Sequence, residues 1–177
     1  KYILGGNNNF LKKIREKLIE NFVFDNQLIK NNESIKHIDP IVLNELNFNT
    51  NNEELNFEYC NDDNSDSSLV VKNGSHFSLM NIDKKKVIFD PINSNIDLLV
   101  TKLESNKNHF KDDYIVDLNS ILLNSGFHFR LNKDNNLNMS LVHENDQINN
   151  TIYAKNFFHI EKNSNFVLIE KFSNKTK

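Results

Sequence analysis

His76 and Asp90 are the residues of this chain whose types and spacing could do chemistry. They lie in residues 73–95, where Phe77, Leu79, Val87 and Phe89 alternate with His76, Ser78, Ile88 and Asp90. Strand side chains repeat every two residues, so each set shares a face. If the loop is residues 81–85, Phe77 opposes Phe89, Leu79 opposes Val87, and His76 opposes Asp90 at roughly 5 Å between Cβ atoms. A loop of residues 84–86 instead sets Asp90 against Met80 and separates it from His76, so register decides whether the pair exists. A carboxylate accepting from one imidazole nitrogen fixes the tautomer and raises the pKa. The other nitrogen can then take a proton from a thiol or hydroxyl. The competing reading is an edge His–Asp ion pair on a wet face.

The elements that must position this pair read as helices first and strands after. Phe10, Ile14, Leu18 and Phe22 recur every four residues, with Leu11 and Ile19 beside them, which predicts an amphipathic helix over 10–24. Its outer face, from Lys12 to Glu20, is charged and solvated. A shorter helix is expected over 25–36, and a third short segment over 41–46 with Pro40 at its start. Residues 68–72 read as a strand and Asn73-Gly74 as a tight turn into the His/Asp hairpin. Asn93-Ser94-Asn95 can cap a helix carrying Ile96, Leu99, Val100 and Leu103 to about residue 105. A strand is expected over 113–118, then a helical turn or loop over 119–126.

Toward the C terminus, Phe127, Phe129 and Leu131 alternate, residues 133–136 turn, and Leu137, Met139 and Leu141 alternate again. A second hairpin is expected from 157–161, the turn 162–165 and 166–172. With residues 151–154 these make four or five antiparallel strands. The whole predicts an α+β fold, with a core over 1–126 and a β-rich part over 127–177 packed on the same domain. No internal repeat is visible.

A chain of 177 residues is long enough for one domain with a sizeable core. Its net charge of −3 offers nucleic acid no electrostatic footprint. No apolar run has membrane length. The expected partner is therefore a protein or peptide, with no nucleic acid and no membrane, and the expected state is soluble, as a secreted effector or inside the cell. Cys60 is the single cysteine, so no internal disulfide forms. Acidic neighbours raise its pKa, the wrong direction for a nucleophile. Asp62, Asp63, Asn64 and Asp66 carry cation-binding atoms but lack the glycine and terminal glutamate of a calcium loop. His128, His143 and His159 lie on C-terminal strands and could meet around a metal. No two show the close spacing of a ligand pair, and they read as partly exposed strand positions. No phosphate-binding loop or dinucleotide fingerprint is present. No metal and no cofactor are expected.

Asn73-Gly74-Ser75-His76-Phe77-Ser78-Leu79-Met80, then Ile82-Asp83, then Phe89-Asp90-Pro91 with Ser94-Asn95 before a predicted helix, resemble the His–Asp segment of papain-like cysteine peptidases. The nearest likeness is to the ubiquitin-like-specific peptidases. Asp-Pro in place of their usual Asp-Ser is similar to bacteriocin-leader peptidases and secreted effector peptidases. The resemblance implies His76 as general base, Asp90 as its orienting partner and a thiol at a helix N-terminus. In the ubiquitin-like-specific order the nucleophile falls at Asn124-Ser125-Gly126, with Ser125 where Cys would stand and Asn119 where the oxyanion-hole Gln would stand. In the papain order it falls within residues 7–9, which hold no Cys or Ser. The implied function is a cysteine-peptidase-like domain, a peptide or isopeptide hydrolase or transferase acting on ubiquitin-like tails, with its nucleophile missing, substituted or lost. The alternative is a non-catalytic protein-interaction or structural domain. Geometry discriminates: the peptidase reading requires His76 and Asp90 within hydrogen-bond reach, with a cleft and a helix N-terminus beside the imidazole. The missing thiol separately predicts that Cys60 is remote from His76.

Overall fold

The computed structural model describes residues 55–62, 66–94, 98–99, 101–102, 119–120, 122–146 and 152–174. The helices expected over 10–24, 25–36 and 41–46 and the strand over 113–118 lie outside these residues. The described part is mostly β, which corrects the α+β expectation. It has eight strands: β1 (Asn56–Cys60), β2 (Ser68–Lys72), β3 (His76–Met80), β4 (Val87–Pro91), β5 (Ser125–Leu131), β6 (Asn136–Asn145), β7 (Ala154–Ile160) and β8 (Asn165–Asn174). They form a five-stranded sheet in the order β1-β3-β2-β6-β8 and a three-stranded sheet in the order β4-β5-β7. Helical backbone among the described residues is confined to 98–99, 101–102, 119–120 and 122.

Alternation decides how the sheets meet. Phe77 and Leu79 of β3 are buried between exposed His76 and half-buried Ser78; Val87 and Phe89 of β4 are buried around exposed Ile88. The inward residues of both sheets make one core. Leu69, Val71, Phe77, Leu79, Met139 and Leu141 come from one side, and Val87, Phe89, Phe127, Phe129 and Leu131 from the other. Phenylalanines line this core, with the Phe77–Phe89 and Phe129–Phe166 pairs crossing between the sheets and the others running along the three-stranded sheet. Phe77 lies 5.6 Å from Phe89, Phe89 5.3 Å from Phe127, Phe127 5.5 Å from Phe158, and Phe129 5.6 Å from Phe166. Burying each such ring contributes about 1.5–3 kcal/mol. A small second core of Ile92, Leu99 and Leu123, with Phe157 against it, lies on the other side of the three-stranded sheet.

β3 is followed directly by β4, β5 by β6 and β7 by β8, yet the two members of each pair lie in different sheets. Each connecting turn is an arch over the core. The expected hairpins at 73–95, 127–141 and 157–172 are therefore not hairpins. Alternation marks a strand and its inward face. It is the same whether the next strand pairs with the first by backbone hydrogen bonds or faces it across a core. Phe77 and Phe89 do meet, as the pattern requires, but across the layers and not across a ladder. The antiparallel hairpin at this place is β2–β3. Its turn residues Asn73 and Gly74 both have positive φ, 53° and 74°, as a type I′ turn needs.

The arches β5–β6 and β7–β8 stack in parallel. Ser125 pairs with Ala154 and Asn136 with Asn165, so both ladders keep one offset of 29 residues. The turns stack too. Asp134 and Asn163 both have φ 60°. Asn163 Nδ2 donates to Asp134 Oδ1 at 3.1 Å, and Asn165 Nδ2 to Asn136 Oδ1 at 2.8 Å. The Asp134 amide donates to the Lys162 carbonyl, and the Asn165 amide to the Asn135 carbonyl. The chain thus carries a structural repeat that its sequence does not display. Lys133-Asp134-Asn135-Asn136 overlies Lys162-Asn163-Ser164-Asn165, while the flanking strands share an apolar alternation and few identities. β2 pairs with β6 and β4 with β5, so residues before and after 126 contribute to both sheets.

Candidate functional site: the outer face of the three-stranded sheet

His76 and Asp90 are not brought together. His76 is exposed on the outer face of the five-stranded sheet, with Asn56 and Lys72 as ladder partners. Its Nδ1 lies 2.9 Å from Ser75 Oγ. Asp90 is on the outer face of the other sheet, across the β4–β5 ladder from His128. Stacked sheets lie roughly 10 Å apart, and these two side chains point away from each other on either side. Neither hairpin register applies, because β3 and β4 share no ladder.

Ser125 is placed for another task. It is 2% exposed on the inward side of β5, and its hydroxyl donates to the Gly74 carbonyl at 2.5 Å. That bond ties the start of β5 to the β2–β3 turn and joins the two sheets at one end. Ser125 opens a strand and not a helix. Cys60 pairs with Met80, at the far end of β3 from His76, roughly 13 Å along the strand. Burial, then the Glu58 carboxylate beside it, pushes the Cys60 thiol up, which keeps it protonated.

The polar groups that do converge lie around His128. On this face each row runs across three strands. Asp90, His128 and Phe157 make one row, and Ile88, Arg130 and His159 the next. His128 is 7% exposed, and its ring stacks on Phe157 at 5.1 Å and 13°. Its Nε2 is buried and makes no hydrogen bond. Burial lowers its pKa, Asp90 works against that shift, and Lys102 reinforces it. The ring is therefore held neutral between a carboxylate and an ammonium. Leu98 and Lys102, of the helical residues, stand over the face and close a cavity of about 310 Å³ with Ile88, Asp90, His128 and Phe157. Arg130 at its rim is paired with Glu161 through Nε at 2.7 Å and through its terminal nitrogen. That pairing holds the Glu161 carboxyl below its usual range.

A second cavity of about 540 Å³ opens at the end of the sandwich where Ser125 sits, lined also by His143, Glu170, Ile152 and Phe172. His143 Nε2 lies 2.7 Å from Glu170 Oε1, and its ring stacks on Phe172 at 4.7 Å. This puts a hydroxyl, an imidazole and a carboxylate in one cavity, but the hydroxyl is committed to Gly74. The three strand histidines do not converge: His128 and His159 share the outer face of the three-stranded sheet, while His143 lies in the other sheet. Among the described residues no three His, Cys, Asp or Glu side chains are grouped to hold a metal ion. No helix among them is long and apolar enough to cross a membrane.

Comparison with family models, with curated proteins and with solved structures returns no match. The sequence contains both halves of the Asp90–His128 relation but not the link between them. The alternation of Phe127, Phe129 and Leu131 already sets His128 and Arg130 on the other face. Nothing local says that β4 lies beside β5. Lys102 carries no signal, being one of many lysines.

Proposed function

We propose that this chain is a non-catalytic protein-interaction domain that takes up an extended segment of a partner protein along β8. The observation that carries this reading is the state of that strand. β8 is the last strand of the five-stranded sheet, is ten residues long, and bonds only to β6 among the described strands. Val167 and Ile169 are 52% and 55% exposed, and Phe172 is 77% exposed. Long apolar edges are templates for a further strand, and proteins that do not use them blunt them with charge, proline or a bulge. Here Glu170 and Lys171 are the only charges along the strand and it has no proline. Strand addition draws its affinity from main-chain hydrogen bonds and its selectivity from alternate side chains. His76 is on the outer face of one sheet, Asp90 on the outer face of the other, and Ser125 is buried on the inward side of β5, so these three residues form no catalytic set among the described residues.

The test uses a synthetic peptide with the sequence of residues 165–174 as the partner strand and amide hydrogen exchange of the full chain as the readout. Added peptide should slow exchange along β8 and leave β1, at the opposite edge, unchanged. Ile169→Lys and Phe172→Lys should abolish that protection while the protein stays folded. Unchanged exchange at β8 under saturating peptide, or equal protection in the lysine variants, would overturn the reading.

A further inference from the structure

The cavity around His128 lies on the three-stranded sheet, away from β8. Its walls are largely apolar, from Ile88, Leu98 and Phe157, and its volume of about 310 Å³ is at the small end of ligand sites. Three polar groups face it without a mate. The buried Nε2 of His128 has no hydrogen bond. Asp90 and Lys102 each act on that imidazole electrostatically, yet they make no ion pair with each other or with any other described group. Arg130 is already satisfied by Glu161. A buried polar atom without a partner costs about 1–3 kcal/mol, so native structures seldom keep one without a reason.

We propose that this cavity binds a small zwitterion with an apolar body, of which a free amino acid with an aromatic or branched side chain is the simplest case. Such a ligand satisfies the three groups together. Its carboxylate pairs with the Lys102 ammonium and accepts a hydrogen bond from His128 Nε2. Its ammonium pairs with Asp90. Its side chain lies against Leu98, Ile88 and the Phe157 edge. A simple anion would meet the Asp90 carboxylate, and a simple cation would meet Lys102, so each single charge is discriminated against by the opposite half of the site. The neutral imidazole can donate from Nε2 without adding a net charge.

Three probes separate these possibilities: phenylalanine, phenylacetate and phenethylamine, titrated into the isotope-labelled full chain. The imidazole nitrogen resonances of His128 report on the site, and calorimetry gives the affinities. Phenylalanine should shift the His128 Nε2 resonance and bind at least about tenfold more tightly than either singly charged probe, a difference of about 1.4 kcal/mol. Lys102→Met should bring phenylalanine down to the affinity of phenethylamine, and Asp90→Asn down to that of phenylacetate. Both substitutions sit at partly exposed positions, so the fold survives them. No shift of the His128 resonance with any probe would overturn the proposal. So would equal affinities for all three, or undiminished phenylalanine binding in Lys102→Met.

Discussion

Asn163 stacks directly on Asp134: the side-chain amide of one donates to the carboxylate of the other at 3.1 Å, and both backbones stand at φ 60°. The left-handed region costs most L-residues about 1–2 kcal/mol, and least Asn and Asp, whose short polar side chains bond locally. Each arch therefore turns at a residue that tolerates the turn and can bond the turn below it. The chain reverses and stacks at the same place.

This relationship predicts the effect of changing Asn163. Asn163→Val should lose about 1–2 kcal/mol of stability, from the left-handed strain of a branched residue together with the lost hydrogen bond. Asn163→Gly should lose less, since it relieves the strain and forfeits only the bond. Urea-unfolding midpoints of the two variants distinguish them. Equal losses would show that backbone conformation is not the cause.

Gly126 fixes how closely β5 and β7 approach. Its φ is 135°, and a Cβ at this position would run into the backbone carbonyl of Lys155 on the neighbouring strand. A ladder carbonyl cannot swing aside as a side chain can. Gly126→Ala should cost about 1–3 kcal/mol or more, as overpacked sites do. The damage should appear as faster amide exchange along β5 and β7, with β1–β3 pairing retained. A variant of wild-type stability would contradict so close an approach of the two strands.

His128 makes stability depend on pH. Burial holds its pKa below the usual histidine value, with Asp90 opposing and Lys102 assisting. The unfolded chain therefore takes up a proton first as pH falls, and unfolding gains from it. Stability is complete above the unfolded value of about 6.5 and is lost as pH falls from there toward the lower folded value. His128→Phe, which keeps a ring against Phe157, should flatten the curve in that window. Glu161, whose carboxyl is held down by Arg130, contributes a separate loss in the more acidic carboxylate range. Unfolding midpoints measured across both windows check this, and an identical slope in wild type and His128→Phe would refute it.

Much of the local structure was legible in the residues. The Asn73-Gly74 turn is where its sequence places it, and the inward sets of β3, β4, β5 and β6 are those that alternation picks out. Pairing was not legible. Phe77 and Phe89 have the same pattern whether they meet across a ladder or across a core, and only the second occurs. The parallel stacking of arches hides its repeat because the ladders need matching register and polarity, not matching residues. Of each repeat, the turn residues are the part constrained by chemistry, and there the two copies look alike. The His76–Asp90 pair failed for the same reason as the hairpin that was to hold it. Asp90 has its histidine, but from a strand beginning 35 residues later, beyond the reach of any local pattern.

The arches also govern how this chain can reach its fold. Except for β2–β3, the ladders join segments far apart in sequence: 29 residues between the stacked arches, and more between β2 and β6. An arch gains no backbone ladder by closing on itself, so each turn forms early only at an entropic loss. Its reward comes when the neighbouring arch arrives. Contact order of this kind slows folding to the millisecond-to-second range typical of all-β domains. Until β6 is in place β8 has no ladder partner among the described strands, and once paired it still presents an open edge.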